Sequence, residues 1–148
     1  MDEIDRQILN LIQESFPIVE EPFKVIAEHV GVSEEEAIER IGKLKEEAII
    51  RRIGAVFDPG RLGFVSTLCA ARVPAEKVAS FVAWVNACPG VTHNYRRNDE
   101  YNIWFTLTAR SEEGIGNLIA NIIEMTGVAD ILSLRAARTF KINVNFIL

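Results

Sequence analysis

The sequence predicts an α+β chain, with a winged helix-turn-helix unit followed by a ferredoxin-like βαββαβ domain. Three observations carry that prediction. Apolar residues recur at helical spacing through the first third of the chain. Two of those helical stretches are joined by Gly31-Val32-Ser33, a turn of helix-turn-helix length. Strand-like runs and amphipathic helical runs then follow in the order β-α-β-β-α-β. These readings divide the chain into a helix-turn-helix domain over 1–53 and a ferredoxin-like ligand-binding or catalytic domain over 54–148.

In the first domain, Ile4, Ile8, Leu11 and Ile12 share one helical face, with Asp2 available as the cap. Pro22, well suited to a first helical turn, opens a second helix carrying Phe23, Ile26, Ala27 and Val30 on one side, and Gly31 closes it. Ser33 with Glu36 reads as a capping box that opens a third helix, with Ala37, Ile38, Ile41 and Leu44 inward. Ile49 to Phe57 reads as a strand, stopped by Asp58-Pro59-Gly60. In the second domain, Phe64–Val73 is a strand and Pro74–Ala87 a helix with Val78, Phe81, Val82 and Val85 inward. Val91–Arg97 and Tyr101–Thr108 form a hairpin, and Ser111–Met125 is a helix with Ile115, Leu118, Ile119 and Ile122 inward. Ala129–Thr139 and the tail to Leu148 finish as strand. In such a domain both helices cover one sheet face, which leaves the other to be buried by a partner or a ligand.

Composition narrows the class. An apolar fraction of 49% can build a core, and no bias suggests disorder. No apolar run approaches a membrane span and the acidic start is unlike a secretory signal, so a soluble cytoplasmic protein is expected. Cys69 and Cys88 have no metal-ligand or disulfide spacing, so no metal centre of the protein's own is expected. The net charge of −5 is unevenly placed: residues 1–53 hold 7 Lys/Arg against 13 Asp/Glu, and residues 54–148 hold 9 against 8. An anion is better accommodated by the second half.

The hairpin is where chemistry concentrates. Between Val91 and Phe105 it carries His93, Asn94, Tyr95, Arg96, Arg97, Tyr101 and Trp104, a set suited to holding carboxylates and moving protons. Strict alternation puts Val91, His93, Tyr95 and Arg97 on one face and Thr92, Asn94 and Arg96 on the other. Asn102, Trp104 and Thr106 take the open face of the next strand, and the turn register decides which arginine joins Trp104. Trp104 suits a dimer interface as well as a pocket wall. Arg135, Arg138 and Lys141 follow at near-regular spacing, read either as anion ligands or as edge-strand protection. His29 reads as a favourable charge near a helix C-terminus.

Three separated stretches, Ile4-Asp5-Arg6 with Ile8-Leu9, Ile26-Ala27 with Val30-Gly31-Val32-Ser33, and Phe57-Asp58-Pro59 with Leu62-Gly63, resemble the Lrp/AsnC transcription regulators over nearly the whole chain. The Phe16–Phe23 insertion (a lid or a longer interhelical loop), the hairpin residues His93-Asn94-Tyr95-Arg96 and Tyr101-Asn102-Ile103-Trp104-Phe105, and the ending from Arg138 to Phe146 depart from those regulators. These departures resemble the sirohaem decarboxylases, an enzyme branch of the same superfamily that is also similar to proteins of haem d1 biosynthesis. The resemblance implies a carboxy-lyase that removes carbon dioxide from the C12 and C18 acetates of sirohaem to give 12,18-didecarboxysirohaem. It implies a homologous second subunit and no cofactor, the iron being part of the substrate.

Extending it to residues, His93 is the candidate general acid with Tyr95 assisting, or alternatively an axial ligand to the substrate iron. Arg96 or Arg97 is the candidate clamp on the reacting acetate. Asn94, Tyr101, Trp104, Arg135, Arg138 and Lys141 are candidate contacts to the macrocycle. Two other readings stand beside this one, a DNA-binding regulator and a non-catalytic subunit of the same heteromeric enzyme. The helix that would read DNA, from Ser33 to Glu47, carries six glutamates against Arg40, Lys43 and Lys45, and four of them crowd its leading end. Repulsion between these carboxylates and phosphates opposes DNA as a partner.

Overall fold

The computed structural model describes residues 1–138, 146 and 148. It contains two compact units, Met1–Ala55 together with Phe146 and Leu148, and Val56–Phe140.

The first unit packs three helices, α1 (Glu3–Glu14), α2 (Pro22–Val30) and α3 (Glu34–Glu46). Helix α1 starts on a reciprocal cap: the Asp5 N–H donates to the Asp2 carboxylate at 3.0 Å and the Asp2 N–H to Asp5 at 2.8 Å. Pro22 lies in the first turn of α2, and Gly31 ends that helix at φ 77°, a left-handed conformation a side chain would resist. Ile8, Ile26, Ile41 and Leu44 form the core. Phe16 and Phe23, at either end of the insertion, meet edge to face at 6.2 Å and pack on that core, while Ile18 between them is 99% exposed.

Several expectations change here. Ser33 accepts the Glu36 N–H at 3.1 Å, but the Glu36 side chain does not return the bond; it holds Arg40 Nε at 2.9 Å. Ile38, expected inside, is 47% exposed because the buried stripe of α3 runs through Ala37, Ile41 and Leu44. No strand forms over 49–57. The chain leaves α3 through Ala48 at φ 58°, buries Ile50 and then runs exposed to Val56 and Phe57. A strand requires a partner to accept its ladder, and among the described residues none pairs with this segment. Phe146 and Leu148, expected to end a strand of the second domain, bond to α1: Gln13 donates to the Phe146 carbonyl at 2.7 Å and accepts its N–H at 2.9 Å, and Asn10 donates to the Leu148 carbonyl.

The second unit is the expected βαββαβ. Strands β1 (Val65–Ala71), β2 (Val91–Arg96), β3 (Ile103–Ala109) and β4 (Ile131–Leu134) form one antiparallel sheet in the order β2-β3-β1-β4. Helices α4 (Val78–Ala87, after a 3-10 turn at Ala75–Lys77) and α5 (Glu112–Thr126) supply Phe81, Val85, Ile115 and Ile122 to a core shared with Cys69, Ile103, Phe105 and Leu107. The Phe81 and Phe105 rings meet at 6.1 Å. Burial without a charge partner pushes the Cys69 thiol up to about 11, so it is an inert core residue. The final strand is shorter than expected, and Arg135 and Arg138 lie beyond it. Lys141 falls outside the described residues.

The hairpin holds a β-bulge. Val91 opposes Leu107 and His93 opposes Thr106, so Thr92 is the extra residue. Strict alternation would have kept Val91 on His93's face; the bulge sends Val91 into the core instead. Gly90 permits the close approach that starts β2. Its carbonyl accepts the Thr108 N–H at 2.8 Å, and a Cβ there would stand 2.8 Å from the Thr108 oxygen and 3.0 Å from Leu118.

Gly90→Ala should lower the unfolding free energy in denaturant by about 1–3 kcal/mol through overpacking. Gly42→Ala, inside α3 with nothing within 4 Å of the added Cβ, should raise it by about 0.5–1 kcal/mol. The Asp5 N–H and then Arg40 hold the Asp2 carboxyl down at about 2, from an ordinary 3.8. A depressed carboxyl contributes stability above its unfolded value, and this contribution disappears as pH falls towards 2. Thermal melts followed by helical circular dichroism should therefore lose less stability on acidification in Asp2→Asn than in the parent chain.

Candidate functional site

The strand register sorts the sheet's open face into rows. Tyr95 opposes Trp104, which opposes Ala70, which opposes Leu132; the next row runs His93, Thr106, Leu68, Leu134. Residues directly opposite each other on antiparallel strands share a face. One half of this face, on β2 and β3, is polar and aromatic. The other half, on β1 and β4, is apolar, with Leu68, Leu132 and Leu134 each about 40% exposed.

On the polar half the His93 and Tyr95 rings stack, with centroids 6.1 Å apart and planes 20° from parallel. His93 Nδ1 shares a hydrogen bond with the Thr92 hydroxyl at 3.1 Å, and Nε2 has no hydrogen-bond partner among the described residues. The Arg97 guanidinium lies over the Trp104 ring, 5.2 Å from its centroid. The register thus chooses Arg97, not Arg96, as the companion of Trp104. Trp104 is itself anchored, its indole N–H donating to the Tyr101 carbonyl at 2.7 Å. The Arg97 N–H donates to the Asn102 carbonyl and closes the hairpin. Arg96 opposes Ile103, on the other side of the strand, and lines a depression at the hairpin tip with Arg97, Asn98, Asp99 and Asn102. Neither Arg96 nor Arg97 has a carboxylate partner among the described residues, so both cations remain available to an anion.

The remaining predicted contacts do not gather on this face. Asn94 opposes Phe105 on the helix-covered side and donates to Asn86 of α4 at 2.9 Å. Tyr101 turns its hydroxyl to Asp130 at 3.0 Å. Arg135 follows Leu134 and pairs with Glu112 at the start of α5, at 2.9 Å. It is three strands across from Arg97 and at the opposite end of the sheet, about 14 Å across and a similar distance along. Asn102, expected on the open face, instead clamps the Val73 backbone, accepting its N–H at 2.9 Å and donating to its carbonyl at 2.8 Å. Among the described residues no three His, Cys, Asp or Glu side chains converge as a metal centre, and no helix is long and apolar enough to cross a membrane.

Sequence reading missed the apolar half of the face. The signal was present in β1, where Thr67 alternates with Leu68: Thr67 is buried, its hydroxyl paired with Ser133, and Leu68 is exposed. Such inverted polarity marks a face that something else covers.

A helix-turn-helix unit joined to a one-sided βαββαβ sheet that carries a polar-aromatic patch defines an AsnC-like ligand-binding protein. Residues 61–141 match the family model described as AsnC-like ligand binding domain, and residues 5–51 match the one described as Siroheme decarboxylase NirDL-like HTH domain. The chain belongs to the siroheme decarboxylase family. It is 50% identical over 146 residues to the siroheme decarboxylase alpha subunit of Desulfovibrio desulfuricans, spanning 99% of this chain and 84% of that one. Two proteins of Stutzerimonas stutzeri, the siroheme decarboxylase NirG and NirD subunits, are 37% and 36% identical, with 99% of this chain matched in each case and 99% and 95% of theirs. The crystal structure of the siroheme decarboxylase NirDL in co-complex with an iron-uroporphyrin III analogue superposes with a TM-score of 0.71 at 36% identity. It covers 96% of this chain, which spans only 48% of that longer one.

Because Asn94 serves α4 and not the open face, Asn94→Ala should cost about 0.5–1.5 kcal/mol in denaturant unfolding. It should leave tetrapyrrole affinity, read by absorption titration, unchanged.

Proposed function

We propose that this chain is one subunit of a heteromeric sirohaem decarboxylase, a carboxy-lyase that converts the C12 and C18 acetates of sirohaem to methyl groups in haem biosynthesis. The observation that carries the proposal is the open sheet face, where Arg97, with no carboxylate partner among the described residues, lies over Trp104 and adjoins the stacked His93 and Tyr95. Sirohaem is a flat macrocycle bearing eight carboxylates. Aromatic surface and unneutralised guanidinium forks are what such a ligand requires. The family membership and the relative solved with an iron-uroporphyrin III analogue support the same ligand class.

In each decarboxylation the bond between the acetate methylene and its carboxylate breaks. Carbon dioxide leaves, the electron pair passes into the macrocycle, and a proton forms the new C–H bond. One proton is consumed and nothing is oxidised, so the chemistry calls for no organic cofactor. The protein's contribution is to hold and desolvate the acetate and to deliver the proton. In this reading Arg97 clamps a carboxylate, with Arg96 at the hairpin tip engaging a neighbouring one. His93 donates the proton, with Tyr95 stacked beside it as the assisting hydroxyl. The free Nε2 of His93 also suits an axial bond to the substrate iron, the alternative role.

The partner in this proposal is a homologous subunit. A relative about twice as long contains one region matching this chain, and one organism holds two differently named subunits that both match it. The apolar half of the open face, Leu68, Leu132 and Leu134, is suited to such a partner. DNA is not part of the reading. Besides the glutamates of α3, its Arg40 is bound by Asp2 at 2.7 Å, Asp5 at 2.9 Å and Glu36 at 2.9 Å, which removes one of three cations from any phosphate contact.

The test is anaerobic turnover of sirohaem by the assembled complex, with carbon dioxide release and the absorption spectrum followed together. His93→Ala in this subunit alone should slow turnover by about 10²–10⁴-fold if it is the general acid. Arg97→Ala should raise KM more than it lowers kcat. Near-normal rates in both variants would assign the chemistry to the homologous subunit, and salt-sensitive retention of duplex DNA by this chain would restore the regulator reading.

A further inference from the structure

The hairpin tip that carries Arg97 is exposed and charged, and four residues long between Arg97 and Asn102. Tips of this kind are ordinarily the mobile part of a sheet. This one is bound across its own end of the sheet, to the start of β4 on the far edge, by a chain of side-chain contacts. The Trp104 indole N–H is held by the Tyr101 carbonyl at 2.7 Å, and the Tyr101 hydroxyl donates to Asp130 Oδ1 at 3.0 Å. Asp130 Oδ2 binds Arg72 Nε at 3.0 Å, and Arg72 Nη1 reaches back to Glu100 of the tip at 2.8 Å. The Arg72 guanidinium also covers the Tyr101 ring at 5.2 Å. Arg72 and Asp130 have an unyielding base, since the Arg72 N–H donates to the Asp130 carbonyl at 2.9 Å and continues the β1–β4 ladder.

This network does little for folding. Arg72, Glu100 and Asp130 are each about half exposed or more, and ion pairs at such exposure contribute little to stability. Its geometric effect is specific: three of its contacts meet at Tyr101, on its carbonyl, its hydroxyl and its ring, and that carbonyl sets the plane of the ring beneath Arg97. We infer that Asp130 and Arg72 are positioning residues, which through Tyr101 hold Trp104 and Arg97 in the arrangement that receives a substrate carboxylate. The inference deepens the proposed function and rests on it for the identity of the ligand. Arg72 and Asp130 continue the alternation of Ala70 and Leu132 at the border of the open face, engaged with each other, and neither Tyr101 nor Asp130 needs to contact the macrocycle for its loss to be felt there.

The test uses the full chain with Trp84→Phe, which leaves Trp104 as its one tryptophan. Asp130→Ala should shift Trp104 emission to the red and make it more readily quenched by acrylamide. Tyr101→Phe, which removes only the hydroxyl link, should do so in part. In the assembled complex Asp130→Ala should raise KM for sirohaem about tenfold while kcat stays within about twofold. Asp130→Asn keeps an acceptor for the Tyr101 hydroxyl and should recover much of the loss. Unchanged Trp104 emission and quenching in both Asp130→Ala and Tyr101→Phe would overturn the inference, as would a KM rise that Asp130→Asn fails to relieve. If Asp130→Ala does not fold, Tyr101→Phe alone decides by the same emission readout. Arg97→Ala in the same series separates the two ideas: an unchanged KM there rejects the site reading, whereas the Trp104 signal still judges the positioning role.

Discussion

Everything in the second unit depends on a sheet that is covered on one side only. Phe81 and Val85 of α4 and Ile115 and Ile122 of α5 are buried against Ile103, Phe105 and Leu107. Each such side chain contributes about 1.5–3 kcal/mol on burial. With both of its helices on one face, this unit has no further described element to place on the other. Leu68, Leu132 and Leu134 are therefore exposed there, beside a tryptophan, a tyrosine, a histidine and a guanidinium. The open face is the cost of the fold and the opportunity for its chemistry. Its division into an apolar and a polar half suits a protein partner on one side and a polycarboxylate ligand on the other.

The polar half is organised by small backbone devices. Gly90 lets β2 start hard against β3, and the bulge at Thr92 then lets Val91 point into the core and His93 outward two residues later. Without that extra residue the two would share a face, and one would be misplaced. The turn closure between Arg97 and Asn102 similarly gives Trp104 to Arg97 and turns Arg96 away. Alternation placed His93, Tyr95 and Arg97 together correctly, yet it could not see the bulge that separates Val91 from them. It also could not choose between the arginines, because a one-residue slip exchanges them.

The first unit shows how inherited architecture and local charge can disagree. Its helix-turn-helix is well formed, with caps at Asp2 and Ser33 and a left-handed stop at Gly31. Its third helix nevertheless presents carboxylates, and Arg40 is consumed by Asp2, Asp5 and Glu36 in tying α3 to the start of α1. The arginine that could have met a phosphate is a structural fastener. The geometry of a DNA reader is retained here, while the glutamates of α3 and the engagement of Arg40 oppose phosphate contact.

The sequence by itself determined the periodic features: three helices and their caps, the βαββαβ order, the inward faces of α4 and α5, and the concentration of His93, Tyr95, Arg97 and Trp104 in one hairpin. Those properties are local, written in spacing and in cap and turn residues, so they can be read along the chain. Tertiary structure alone decided the rest. Residues 49–57 have strand-forming side chains but no partner among the described residues, so no ladder forms. Asn94 and Arg135 belong to α4 and α5 because register and strand ends, not spacing, choose their neighbours. Asp130 and Arg72, 58 residues apart, meet only where β1 and β4 pair. Long-range pairing selects such contacts, and no local pattern encodes them.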